Sequence, residues 1–223
     1  MKQFYGDNNR WFLGNVINIT DPQKLGRIKV RIHGIHSDSK QDIPDDKLPW
    51  AQTVVSITEG GTQGLGNNLG IQVGAMVFGI FLDGKDSQLP LILGSLPKYE
   101  ESSPGGISTN QLATGTNTIA KTPNPLFLGA DASPYAAQYP HNKVTQTTSG
   151  HVIEIDDTPG AERIQVYHKS GTCVHFHPNG DVVTQTANGF KTVTGNEKIH
   201  VKGNMEITCD GNFKVRAARI DLN

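Results

Sequence analysis

Polar and apolar positions alternate with period two through most of this chain, the pattern of half-buried β-strands. Five such runs come first: Trp11–Ile19, Arg27–Ile35, Trp50–Ile57, Ala75–Leu82 and Leu91–Leu96. In the second, Ile28, Val30 and Ile32 alternate with Lys29, Arg31 and His33, which predicts one face in a core and the other in water. Asp21-Pro22, Gly60-Gly61, Gly64-Leu65-Gly66 and Asp83-Gly84 supply the turns between runs. Five short strands in about 90 residues predict a small closed barrel of the OB type, with an SH3-like barrel or a small sandwich as the competing arrangements.

The pattern lapses over residues 98–142. Pro104, Pro123, Pro125, Pro134 and Pro140 punctuate it, and a structureless loop this long fits an extended interdomain linker better than a compact domain. Leu126-Phe127-Leu128, Tyr135 and Tyr139 are its candidate docking residues. Alternation then returns. His151–Asp156 and Arg163–His168 flank Asp157-Thr158-Pro159-Gly160, a hairpin signature. Ser170-Gly171 and Pro178-Asn179-Gly180 bound Thr172–His177, and Asp181–Thr186 follows.

From Val193 to Ala217 the chain repeats every eight residues: Gly195-Asn196, Gly203-Asn204, Gly211-Asn212. An even period preserves side-chain parity. Ile199 and Val201, then Met205, Ile207 and Cys209, then Phe213 and Val215 therefore share one face, with charged and polar residues opposite. Gly-Asn is expected to supply positive φ at each corner. A ribbon this narrow has nothing behind its apolar face, whereas neighbouring copies would close it into a prism without sheet edges. An ordinary β-meander is the alternative; three in-phase pairs favour an intertwined β-helix of several chains. The predicted class is all-β, with an OB domain over 1–97, a linker over 98–142, and a trimeric β-helix over 143–223 with a hairpin block at its base.

Composition narrows the function. Twenty basic and 21 acidic residues leave a net charge of −1, so nothing calls for nucleic acid. Met1–Asn9 lacks the apolar core of a secretory signal, and synthesis in a cytoplasm is expected. Cys173 and Cys209 read as buried thiols rather than a disulfide or a metal site.

Several stretches carry a family resemblance. They are Asn9-Arg10-Trp11-Phe12-Leu13-Gly14, Asp21-Pro22-Gln23-Lys24-Leu25-Gly26-Arg27-Ile28-Lys29-Val30-Arg31 and Leu48-Pro49-Trp50. Ser149-Gly150-His151, Asp156-Asp157-Thr158-Pro159-Gly160-Ala161-Glu162-Arg163 and the ending Arg219-Ile220-Asp221-Leu222 complete them. In these the chain resembles the central spike proteins of contractile-tailed phage baseplates. It is similar, more distantly, to the spike portion of type VI secretion VgrG proteins. The resemblance implies a homotrimer with OB domains seated on a ring-shaped tail hub protein and a shaft aimed at the host envelope. It also implies a PAAR-type protein on a platform formed by Arg219, Ile220, Asp221 and Leu222. In the best-known relative a lysozyme domain separates barrel and shaft; the interval 98–142 is too short for one, so no glycosidase residues carry over.

Candidate chemistry is sparse. Glu154, Asp156, Asp157 and Glu162 gather at the hairpin, but Asp156 and Asp157 are adjacent on a strand end and point apart. His175 and His177 share a strand face and are the candidate metal ligands, with a solvent face or polar lumen layer as the plainer reading. Gly64–Gly70 has the glycines of a phosphate loop without a following helix. No catalytic residue, cofactor or resident metal is expected. The expected function is a structural spike that docks on the hub and pierces the envelope. A peptidoglycan-degrading or envelope-glycan-binding tail protein is the alternative.

Overall fold

The computed structural model describes residues 10–61, 70–97 and 136–221. Expectations placed on the loop Gly64–Leu69, on Leu126-Phe127-Leu128 and Tyr135, and on Leu222 lie outside the described residues. Among those described, no α-helix occurs; two short 3-10 turns, Asp45–Lys47 and Gly84–Asp86, interrupt an all-β chain.

Five strands close a barrel: β1 (Arg10–Asn18), β2 (Ile28–Ile32), β3 (Trp50–Thr53), β4 (Met76–Phe81) and β5 (Pro90–Leu96). Their order around the wall is β1-β2-β3-β5-β4. All neighbours are antiparallel except β3 and β5, which run parallel with Gln52 opposite Leu91 and Thr53 opposite Ile92. Closure in this order is consistent with an OB fold and excludes the open sandwich.

Alternation fills the interior. Phe12, Val16, Ile28, Val30, Ile32, Ala51, Val77, Phe81 and Ile92 form one core, none more than 6% exposed. Two inward positions must be glycine for reasons of space. A Cβ on Gly14 would stand 2.5 Å from Val30 Cγ1, and one on Gly79 would stand 2.5 Å from Phe12 Cζ and meet the Leu91 carbonyl oxygen as well. Phe12 thus lies over bare backbone, with the Phe81 ring centroid 4.8 Å from its own.

The outer side of β2 departs from expectation. Lys29 and Arg31, predicted to face water, are buried. The chain between β2 and β3 folds over them and supplies carbonyls in place of solvent. Arg31 donates to the Ser37 and Ile43 carbonyls and to Asp45 Oδ1, and Lys29 donates to the Asp46 carbonyl at 2.6 Å. Buried cations persist only when their donors are met in this way. Just before β2, Asp21 accepts from the backbone N–H groups of Gln23, Leu25 and Arg27 and from the Arg27 guanidinium at 2.7 Å. That clasp holds its carboxyl far below the usual range, the Arg27 side chain being the main cause.

Residues 142–185 form a second, wholly antiparallel sheet of β6 (Asn142–Gln146), β7 (Val152–Asp156), β8 (Arg163–Tyr167), β9 (Cys173–Phe176) and β10 (Val182–Gln185), in sequence order. Three of its four turns share one construction. Thr147, His168 and His177 each bond reciprocally to the residue four positions on or its neighbour, and the third loop residue is Gly150, Gly171 or Gly180 at φ of 91–94°. That is the three-residue hairpin loop, whose last position needs a left-handed residue. From Ala187 to Asp221 no strand is formed within the single chain, and the chain divides into two units between Thr186 and Ala187.

Candidate assembly surfaces

The β6–β10 sheet has its faces the unusual way round. Register places Val144, Glu154, Gln165, His175 and Val183 in one row across the sheet, with Asn142, Asp156 and Arg163 in the next. This polar face is the enclosed one: Glu154 and Gln165 are 0% exposed and His175 4%. The opposite face carries Ile153, Ile155, Ile164, Val166, Phe176 and Val182, which stay 43–60% exposed. A contiguous apolar sheet face open to water marks an interaction surface.

The enclosed face is a bonded network. Glu154 accepts from Asn142 Nδ2 at 2.7 Å and from Arg163 Nη2 at 2.5 Å. Burial pushes the Glu154 carboxyl up, and the Arg163 charge opposes that. Burial likewise drives His175 down to about 4, helped by the charge of Arg163 and by His177, whose ring centroid is 6.2 Å away. The structure therefore brings His175 and His177 together but on an enclosed face, which corrects the solvent-face reading. Among the described residues no group of three His, Cys, Asp or Glu side chains is arranged to hold a metal ion.

The hairpin carboxylates are not gathered for catalysis. Glu154 and Asp156 are enclosed, and Asp156 Oδ1 accepts from Thr158 N. Asp157 points outward to Lys143 Nζ at 2.6 Å, and Glu162 Oε1 accepts from Gly160 N. Two carboxylates that substrate cannot reach and two that serve a turn and a surface pair make no acid–base dyad.

In the C-terminal unit the repeat is laid bare. Ile199, Val201, Met205, Ile207, Phe213 and Val215 are 46–67% exposed, and Cys209 is exposed as well. Gly195, Gly203 and Gly211 do not have positive φ, so the corners are not left-handed as expected. A Cβ on any of the three would meet nothing within 4 Å. Nothing in the single chain demands glycine there. Arg219, Ile220 and Asp221 are exposed, with Arg219 Nε donating to Asp221 Oδ1 at 2.7 Å.

The barrel also keeps an uncovered face. Trp11 and Leu13 of β1, both exposed, adjoin Ile80 and Phe78 of β4, and Ile80 adjoins Leu91 of β5. Trp11 and Phe78 stack with ring centroids 5.1 Å apart and planes within 6°. Sequence reasoning missed this face and the inverted sheet. The apolar residues at outward parity in β1 and β4, and Glu154, Gln165 and His175 at matching hairpin positions, were the signals available.

Comparison with known proteins places this architecture. Residues 33–165 match the family described as the Gp5 N-terminal OB domain, a span that opens after β2 and runs through β6, β7 and the start of β8. The chain is 33% identical over 271 aligned residues to Protein Gp5 of Vibrio phage KVP40, covering 92% of this chain and 64% of that protein. It is 30% identical over 175 residues to the pre-baseplate central spike protein Gp5 of Enterobacteria phage T4, covering 72% of this chain and 28% of that protein. The chain thus spans less than two thirds of the length of either relative. With more than half of its residues matched, the chain belongs to the Gp5 N-terminal OB domain family.

Proposed function

We propose that this chain is a structural component of a phage tail baseplate, its central spike. Three copies assemble, the OB barrels (residues 1–97) seat on a ring-shaped tail hub protein, and residues 143–223 form a three-chain β-helix preceded by a linker over 98–142. The finished particle, made in the host cytoplasm and carried in the virion tail, is driven into the host envelope when the tail contracts. A PAAR-type protein caps the platform at Arg219–Leu222. The name of the T4 relative, a pre-baseplate central spike protein, supports the baseplate role.

The observation that carries the reading is the C-terminal unit. Its backbone groups find no strand partner within the chain, and its apolar positions stand open at every octad. Backbone N–H and C=O groups in a native protein are paired almost without exception. Two further copies in the same register pair them, bury Ile199, Val201, Met205, Ile207, Cys209, Phe213 and Val215 in a shared lumen, and bring another chain's backbone against Gly195, Gly203 and Gly211. Asn196, Asn204 and Asn212 then sit at the corners. The role is mechanical, with no catalytic residue: a rod whose strands share one closed network resists buckling and unfolds only by unwinding three chains.

Sedimentation of the full chain at micromolar concentration, with an unboiled SDS gel alongside, tests this. A trimer that survives SDS is expected. A monomer in both would overturn the reading, and release of soluble fragments from purified peptidoglycan would overturn the non-enzymatic part of it.

A further inference from the structure

We infer that the enclosed polar face of the β6–β10 sheet is a hydration site, holding a buried water molecule that bridges Gln165 and His175. Gln165 is 0% exposed, and neither its amide nitrogen nor its amide oxygen has a hydrogen-bond partner. His175 stands directly across from it on β9, is 4% exposed, and its Nε2 is also without a partner. Glu154, across from Gln165 on β7, makes no bond to the amide; its oxygens turn to Asn142 and Arg163 instead. Enclosed polar atoms left bare in this number are costly, and natural proteins satisfy them with protein groups or ordered water.

The chemistry of the guest follows from the groups around it. Gln165 offers a donor and an acceptor, and a neutral imidazole offers whichever the guest lacks. His175 is neutral at physiological pH, since its pKa is held down to about 4. A guest that both donates and accepts is therefore required. An anion would face the Glu154 and Asp156 carboxylates of the same face, and the described residues hold no three-ligand set for a metal cation. Asp156 Oδ2, likewise buried without a partner, is a further acceptor on this face. Water with two or three such partners is the ordinary occupant of an enclosed polar site. The groups that would hold the water all come from one chain.

The sign of one substitution decides. In the full-length protein Gln165→Met removes the amide and displaces the water, leaving His175 Nε2 buried and bare. The thermal midpoint should fall by roughly 2–6 °C. Adding His175→Phe, which removes the orphaned nitrogen, should recover at least half of that loss. In a dry site Gln165→Met would merely delete unpaired polar atoms, so an unchanged or raised midpoint overturns the inference. Should Gln165→Met fail to fold, a crystal structure of the unaltered protein takes its place. A solvent peak within about 3.2 Å of both side chains supports the site. A direct bond between Gln165 and His175, a side chain from another copy in that position, or no peak overturns it.

Discussion

The contact between Phe12 and the bare backbone of Gly79 allows a quantitative test of the barrel. Ala at position 79 would put its methyl 2.5 Å from Phe12 Cζ and against the Leu91 carbonyl oxygen. Carbon atoms pack at about 3.5–4.0 Å, so the ring must retreat by roughly 1 Å. The Phe81 ring centroid lies 4.8 Å from that of Phe12 and both belong to the same buried core, so the retreat compresses packed neighbours. Overpacking of this kind costs about 1–3 kcal/mol, and the Leu91 backbone contact places Gly79→Ala toward the upper end. Phe12→Leu, which deletes the clashing ring atoms, should cost about 1 kcal/mol alone. If the ring is what the methyl meets, the double variant should be less destabilised than the two costs added, by at least ~1 kcal/mol. The assay is convenient because both tryptophans of the chain, Trp11 and Trp50, lie in barrel strands. Guanidinium unfolding followed by their fluorescence reads the barrel alone. Strict additivity, or a Gly79→Ala cost below about 0.5 kcal/mol, would refute the packing argument.

Three other outcomes follow from the same geometry. Asp21 has a carboxyl pKa far below its unfolded value, chiefly through Arg27, so its contribution is complete above about pH 4 and is lost as pH falls below that. Denaturant midpoints between pH 6 and 2 should show that acid limb, and Asp21→Asn should flatten it. Arg31→Ala removes the donors that hold the Ser37, Ile43 and Asp45 acceptors, which should cost about 2–4 kcal/mol and open residues 33–49 to limited proteolysis; an uncleaved loop would count against Arg31 as its anchor. Mild oxidation should join Cys209 of two copies into a dimer on a non-reducing gel, abolished by Cys209→Ser, while Cys173, buried and with its thiol pushed up by that burial, stays unreacted. Failure to crosslink would place Cys209 outside a shared lumen.

The barrel strands are legible in the sequence because each has one face in a core made by its own chain, and period-two alternation encodes that single requirement. The turn glycines at 150, 171 and 180 are legible for a similar local reason: a three-residue loop needs a left-handed residue at a fixed offset. Burial of Lys29 and Arg31 is not legible, since it depends on where residues 33–49 pass once folded. The inverted sheet defeats pattern reading outright. Val152-Ile153-Glu154-Ile155 reads as two isoleucines inward and Glu154 outward, whereas Arg163 and Asn142, brought in by register, make Glu154 the enclosed residue. In the octads the period is plain, yet the expected left-handed corners are absent, so neither φ nor space within the single chain accounts for the glycines.

The bare C-terminal unit also constrains how the particle is made. In the proposed trimer this segment, which forms no strand within the single chain, takes its strand pairing from other copies. On that reading the barrel closes once Leu96 has emerged, whereas residues 187–221 would gain their strand pairing only when further copies arrive. Completion is then a concentration-dependent encounter, and it is slow when copies are few. Throughout that wait the open apolar octads are exposed to proteases and to misassociation. Yield from a host cell should accordingly rise more steeply than linearly with expression level, and proteolytic fragments from failed encounters should end near Thr186.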